Sequence, residues 1–254
     1  MALNSSIEWT EATWNPVTGC THISAGCANC YAERMALRLQ AAGMAKYRNG
    51  FKVTIHEKEL LTPQSWRKPH DVFLCSMGDL FHDKVPSGFI QRVFDVMKTC
   101  PHHRFQVLTK RSARLRQLAR TLPWPDNIWM GVTVEDGRVV SRIDDLRSVP
   151  AKVRFLSCEP LIADVGHLQL DGVDWVIVGG ESGPGAREME ESWVLSIQNQ
   201  CEMARVKFYF KQWGGVRKHL TGRLLQGKVY DDMPVAADRP RTLQFSSGTA
   251  ASDS

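Results

Sequence analysis

The chain has 254 residues, 43% of them hydrophobic, and a formal net charge of +5. That length and apolar content supply a sizeable core and suit one large α/β domain. The mild positive charge fits an anionic partner such as nucleic acid or a nucleotide without requiring one. No apolar run approaches the roughly 20 residues of a membrane helix. Residues 1–13 are polar and acidic, without the basic and apolar regions of a signal peptide. A soluble cytoplasmic protein with no membrane partner is expected. Seven cysteines are an odd count, and three of them fall within residues 20–30. In a reducing compartment that argues for metal ligation over a disulfide framework.

A first strand is expected within residues 7–17, followed by the cysteine-rich stretch. A helix over 28–42 follows, with Tyr31, Met35, Leu39 and Ala42 on one stripe. A polar, basic insertion occupies 44–70 and contains Trp66, Arg67 and Lys68. Beyond it, short apolar runs alternate with helix-like segments. The runs are Val72-Phe73-Leu74, Phe105-Gln106-Val107-Leu108, Ile128-Trp129-Met130-Gly131-Val132, Val153-Arg154-Phe155-Leu156, Trp175-Val176-Ile177-Val178 and Lys207-Phe208-Tyr209-Phe210. Such short, nearly continuous runs suit strands buried on both faces. Helices are expected over 86–99, with Phe89, Val93 and Val96 or Met97 inward, and over 111–121, 138–148 and 190–204. Strands alternating with helices imply right-handed βαβ units and a parallel sheet. Six or seven units predict a full or partial (β/α) barrel over 1–215, with an open doubly wound sheet as the alternative. Residues 216–245 read as a small appendage and 246–254 as a disordered tail.

Polar residues recur just after each apolar run. They are Ser76, Gly78 and Asp79; Thr109 and Lys110; Thr133 and Glu135; Ser157, Cys158 and Glu159; Gly179, Gly180, Glu181 and Ser182; and Lys211, Gln212 and Trp213. In a parallel barrel these positions share the C-terminal mouth, where chemistry is assembled. Any one group can instead cap the following helix.

The cysteines read Cys20, six residues, Cys27, two residues, Cys30. Thiolates are soft ligands that suit zinc and iron–sulfur clusters. Three of them on a [4Fe–4S] cluster leave one iron open, able to chelate the amino and carboxylate groups of S-adenosylmethionine (SAM). Two other ligand sets stay open. His22 can complete a closed zinc site, or Cys75 or Cys158 can supply a fourth thiolate to a closed cluster. Cys100 and Cys201 read as buried apolar residues.

The stretch Trp14-Asn15-Pro16-Val17-Thr18-Gly19-Cys20 through Cys27-Ala28-Asn29-Cys30-Tyr31-Ala32-Glu33 resembles a phage-associated three-cysteine-motif family that also occurs on bacterial chromosomes. Further similar stretches are Cys75-Ser76-Met77-Gly78-Asp79-Leu80-Phe81, Leu108-Thr109-Lys110-Arg111, Gly131-Val132-Thr133-Val134-Glu135, Leu156-Ser157-Cys158-Glu159-Pro160-Leu161, Val178-Gly179-Gly180-Glu181-Ser182-Gly183 and Phe210-Lys211-Gln212-Trp213-Gly214. That family in turn resembles radical SAM enzymes, including the spore photoproduct lyase branch that repairs DNA. The resemblance implies a [4Fe–4S] cluster on Cys20, Cys27 and Cys30, and SAM as cofactor. It also implies a nucleic acid or nucleotide-derived substrate and a reductant protein.

Two departures stand out. The first cysteine loop is longer than the usual three residues, and Gly179-Gly180-Glu181 follows the sixth strand, where radical SAM enzymes place Gly-Gly-Glu after the second. Asp79 fills the second-strand position and can accept from an ammonium. Ser76, Asp79, Thr133, Glu135 and Ser157 are the expected SAM contacts, with Gly179 and Gly180 allowing close backbone approach. Lys110, Glu159, Glu181 and Lys211 are expected to face substrate or move protons, and Glu135 and Glu159 equally suit ribose hydroxyls. Lys110, Arg111, Arg114, Arg116 and Arg120, with Arg34, Arg38, Lys46, Arg48, Arg67 and Lys68, form a candidate anion-binding rim or solvated helix faces. Trp66, Trp124 and Trp213 are candidates for stacking on bases or for packing.

Overall fold

The computed structural model describes residues 2–3, 5 and 7–234. The 246–254 tail and the end of the 216–245 segment lie outside the described residues. Ten strands are present among those described: β1 (Ala2–Leu3), β2 (Ala12–Trp14), β3 (Val17–Thr18), β4 (Thr54–Ile55), β5 (Asp71–Leu74), β6 (Arg104–Thr109), β7 (Ile128–Thr133), β8 (Val153–Cys158), β9 (Trp175–Gly179) and β10 (Lys207–Gln212). The helices are α1 (Tyr31–Ala41), α2 (Ser87–Thr99), α3 (Ser112–Leu118), α4 (Arg142–Arg147), α5 (Glu191–Ala204) and α6 (Lys218–Thr221).

The main sheet runs β1-β2-β5-β6-β7-β8-β9-β10. β1 pairs antiparallel with β2, and the other seven strands are parallel. Each apolar run of the sequence lies within one of them, because hydrophobic strands of a parallel sheet are buried on both faces. Side chains alternate between those faces. Val72, Leu74, Phe105, Val107, Met130, Val132, Leu156, Val176, Val178 and Phe210 join the helices in the main core. Phe73, Trp129, Phe155, Trp175, Ile177 and Tyr209 form a second cluster around Trp9.

Trp9 reports the curvature of the sheet. Its ring meets Phe73 of β5 at 4.7 Å and Trp175 of β9 at 6.2 Å. Four strand spacings separate β5 from β9, which in a flat sheet would put them roughly 19 Å apart. One indole touches both only if the sheet curls around it. The fold is therefore an α/β partial barrel, with β2 and β10 unpaired to each other.

Phe89, Val93, Val96 and Met97 of α2 point inward as the periodicity predicts, and Cys100 and Cys201 are buried. The α1 stripe differs. Tyr31 is 51% and Met35 40% exposed, while Ala32 and Ala36 are buried against Tyr47 and Met77. The small face of α1 is the one that lets its backbone approach the 44–70 insertion closely. That insertion holds short 3₁₀ turns and β4, which pairs with β3. Residues 216–234 carry α6 and a bridge between Leu225 and Lys228, and Asp231 pairs back onto Tyr209 of β10.

Candidate active site

The cysteine loop leaves β3 through Gly19, whose φ of +83° an L side chain rarely adopts. A Cβ there would lie 2.4 Å from the Lys52 carbonyl oxygen. Gly19 N–H donates to the Met77 carbonyl at 2.8 Å and Cys20 N–H to that of Phe51 at 3.2 Å. Cys20 thereby hangs between the β5 loop and the insertion. Cys27 ends the short 3₁₀ turn Ala25–Cys27, and Cys30 is the residue that opens α1. All three are free thiols. Burial pushes the Cys20 thiol up to about 11 and also raises that of Cys30.

Two buried carboxylates from different strands hold this loop. Glu135, beyond β7, is fully buried, accepts from the Ser24 hydroxyl, and pairs with Arg142 at 2.7 Å. The same Arg142 nitrogen donates to the Thr133 carbonyl at 2.7 Å. A Cβ on Gly26 would stand 2.8 Å from the Glu135 side chain, so the loop lies directly against it. Glu181, beyond β9, accepts from Asn29 at 2.9 Å and from Arg187 at 2.6 and 2.9 Å. Arg187 also donates to the Ala25 carbonyl at 3.0 Å. Burial pushes the Glu181 carboxyl up, but Arg187 and Asn29 outweigh it and hold it down at about 2.

A cavity of about 470 Å³ opens over the sheet, within the range of small-molecule sites. Cys20, Cys27 and Cys30 line it, with Tyr31, Phe51 and Asn29. So do Ser76, Asp79, Lys110, Thr133, Ser157, Glu159, Gly180, Glu181 and Lys211. Ile7, Trp9, Phe73 and Leu108 give it an apolar wall. The six groups of polar strand-end residues thus meet the cysteine loop in one space. Glu135 and Gly179 are the two predicted site residues that do not line it.

Asp79 accepts from the Phe81 N–H at 2.9 Å, the Thr109 hydroxyl at 2.7 Å and the Lys110 N–H at 3.2 Å. The Thr109 hydroxyl also lies 2.9 Å from the other carboxylate oxygen, so each oxygen has two donors within reach and a ligand would compete with this shared hydroxyl. Ser76 is held by Asn15, and Tyr31 donates to the Ser76 carbonyl at 2.5 Å. Glu159 pairs with Lys211 at 3.0 Å and accepts from Ser157 at 3.3 Å. Burial pulls the Lys211 ammonium down, yet Glu159 holds it above the ordinary lysine value. The Lys110 ammonium has no hydrogen-bond or ion-pair partner among the described residues. Gly179 gives Glu159 its room, since a Cβ there would sit 2.8 Å from the carboxylate. Gly180 instead admits the β10 end: a Cβ would lie 1.9 Å from the Trp213 carbonyl oxygen.

Five of the eleven residues of the predicted basic rim, Arg34, Lys46, Arg111, Arg114 and Arg116, are tied to the protein by their side chains. Arg34 donates to the Ser182 and Pro184 carbonyls, Arg114 to those of His82 and Val85, and Lys46 pairs with Glu59. Trp66, Trp124 and Trp213 pack against His103, Phe94 and Phe210, outside the cavity lining. Cys75 and Cys158 are both buried in the main core, and Cys75 also lines the cavity. Sequence reasoning did not find Trp9, Asn29, Arg142 or Arg187. Only Asn29, between two of the cysteines, carried a local signal.

No curated protein matches the chain. Among solved structures, a cysteine-to-serine mutant of spore photoproduct lyase is 13% identical, with a TM-score of 0.49 over 79% of this chain and 63% of that one. Spore photoproduct lyase complexed with dinucleoside spore photoproduct is 13% identical, with a TM-score of 0.44 over 72% and 58% of the two chains. This chain therefore spans less than two thirds of the length of either. A family model described as "Protein of unknown function (DUF5131)" matches residues 4–234, and the chain belongs to that family.

Proposed function

We propose that the chain is a radical SAM enzyme that acts on a nucleic acid or nucleotide-derived substrate. Radical SAM kinship and the phage association implied by the motif resemblance are part of this reading. The observation that carries it is the shared cavity: three free thiols of one loop and the polar ends of six parallel strands line a single space. The donor set fits a cluster better than a single ion. A lone zinc draws its ligands to about 2.0–2.3 Å from one centre, and among the described residues no three His, Cys, Asp or Glu side chains are so grouped. His22, the fourth ligand of the zinc alternative, faces Glu33 at 2.9 Å. A [4Fe–4S] cluster gives each thiolate its own iron, so it needs no such convergence.

Cys20, Cys27 and Cys30 would hold the cluster, with one iron left for SAM. When bound and reduced by a partner protein, that pair supplies one-electron cleavage of the sulfonium to a 5′-deoxyadenosyl radical. Asp79 offers its carboxylate to the SAM ammonium in exchange for the shared Thr109 hydroxyl. Thr133 and Ser157 offer hydroxyls, and Ser76 lies beside Asp79 on the same wall. Gly179 and Gly180 keep this region open by making room for Glu159 and the end of β10. Glu135 and Glu181 hold the cysteine loop in place. Lys110 is free to meet an anionic group of the substrate. Lys211 and Glu159, ion-paired at 3.0 Å, are placed to hold or deliver a proton at Nζ. The reduced thiols suit a cytoplasmic enzyme.

The test is anaerobic reconstitution with iron and sulfide, followed by electron paramagnetic resonance and an assay for 5′-deoxyadenosine. A reducible cluster and 5′-deoxyadenosine formed from SAM are expected. Colourless protein holding zinc, or a cluster that never cleaves SAM, would overturn the proposal. One observation favours a second reading. Cys75 lines the same cavity, so a fourth thiolate is available to a closed, SAM-independent cluster. Loss of the cluster in Cys75→Ala would favour that reading.

A further inference from the structure

The chain after β6 buries a cation beside the first cysteine. Arg111 has a side chain only 8% exposed. One terminal nitrogen donates to Asp83 at 3.0 Å, and the other to the Thr21 hydroxyl at 2.8 Å and the Thr21 carbonyl at 3.2 Å. Thr21 is itself fixed by His82, at 2.9 Å from its hydroxyl. The guanidinium is therefore aimed at the residue that follows Cys20, whose own thiol donates to the same Thr21 carbonyl at 3.5 Å. Its Nε is buried without a partner. The paired carboxylate, Asp83, is 74% exposed, so much of the counter-charge stands in water. A buried cation in this state is costly unless an anion completes its environment.

We propose that Arg111 is a positioning residue for the group held by Cys20, donating to the Cys20 sulfur and balancing the negative charge of the thiolate-bound cluster. The inference rests on the iron–sulfur reading above. Three thiolates make the cluster anionic, and one electron taken from an external reductant adds a further negative charge. A fixed cation and N–H···S hydrogen bonds favour that reduced form. Arginine suits the role because it stays charged and offers a fork of donors. Two arms of the fork are used by Asp83 and Thr21, which set its direction.

The experiment uses the full chain reconstituted with iron and sulfide, titrated with dithionite under electron paramagnetic resonance. Arg111→Met is expected to bind iron as the unaltered protein does, with its midpoint potential shifted negative. Arg111→Lys is expected to recover part of the shift, since charge returns without the fork. Asp83→Asn removes the exposed counter-charge and leaves Arg111 in place, so its potential is expected to shift positive. Unchanged potentials in Arg111→Met at full iron content would overturn the assignment. If Arg111→Met does not fold, Asp83→Asn decides: a positive shift supports the role and no shift overturns it. An unaltered chain that forms no cluster overturns the parent reading, a result distinct from a cluster indifferent to Arg111.

Discussion

Glu135 shows how a buried carboxylate can serve a site without facing it. It holds Ser24 of the cysteine loop on one side and Arg142 on the other. Glu135→Gln leaves a buried guanidinium without its countercharge, a loss of roughly 2–3 kcal/mol. Urea unfolding should show a lower midpoint at an unchanged slope. Glu181 makes a pH prediction. Its carboxyl is depressed from 4.5 to about 2, so its stabilisation is present above the unfolded value and is lost as pH falls toward about 2. The shift corresponds to roughly 3 kcal/mol at neutral pH. Unfolding free energy should therefore climb more steeply between pH 2 and 5 in the unaltered protein than in Glu181→Gln. Parallel pH profiles would contradict the pairing. Both residues were legible in the sequence as strand-end polar groups but not as loop anchors. Their arginines come from α4 and from the turn after Gly183-Pro184-Gly185, and no local spacing links Arg142 or Arg187 to Ser24 or Asn29.

At the scale of elements, the ends of β9 and β10 separate two glycines that the motif treats alike. Gly180→Ala drives a Cβ into the Trp213 carbonyl, a backbone group that cannot turn aside. Gly179→Ala meets the end of a flexible Glu159 side chain. Gly180→Ala should cost about 2 kcal/mol or more, and Gly179→Ala under about 1 kcal/mol, read by denaturant unfolding. The Gly179→Ala change should still move Glu159 away from Lys211. The helix and strand pattern itself was legible, since α2 buries the residues its period predicts. α1 was not, because its alanines face the insertion while Tyr31 and Met35 stay exposed. Hydrophobic period marks the greasier face of a helix, and here close backbone approach decided which face went inward.

For the whole molecule, six strands with in-phase polar ends, and a first strand followed by the cysteine loop, predicted a parallel sheet with a shared mouth. The open edge and the degree of curl were not legible, because both depend on contacts distant in sequence. Trp9 is the case in point: it lies just before β2 yet packs on strands from β5 to β9. Trp9→Ala should destabilise the fold by about 3–5 kcal/mol, measured by thermal or urea unfolding. It should also enlarge the cavity by removing part of its apolar wall. The central claim is that these cysteines form an open-iron cluster that cleaves SAM. Its most direct measurement is 5′-deoxyadenosine produced by the anaerobically reconstituted, dithionite-reduced chain, beside the Cys20→Ala, Cys27→Ala and Cys30→Ala variants. The account predicts product from the unaltered chain and none from any of the three variants. A chain that carries a full, reducible cluster yet releases no 5′-deoxyadenosine from SAM would contradict it.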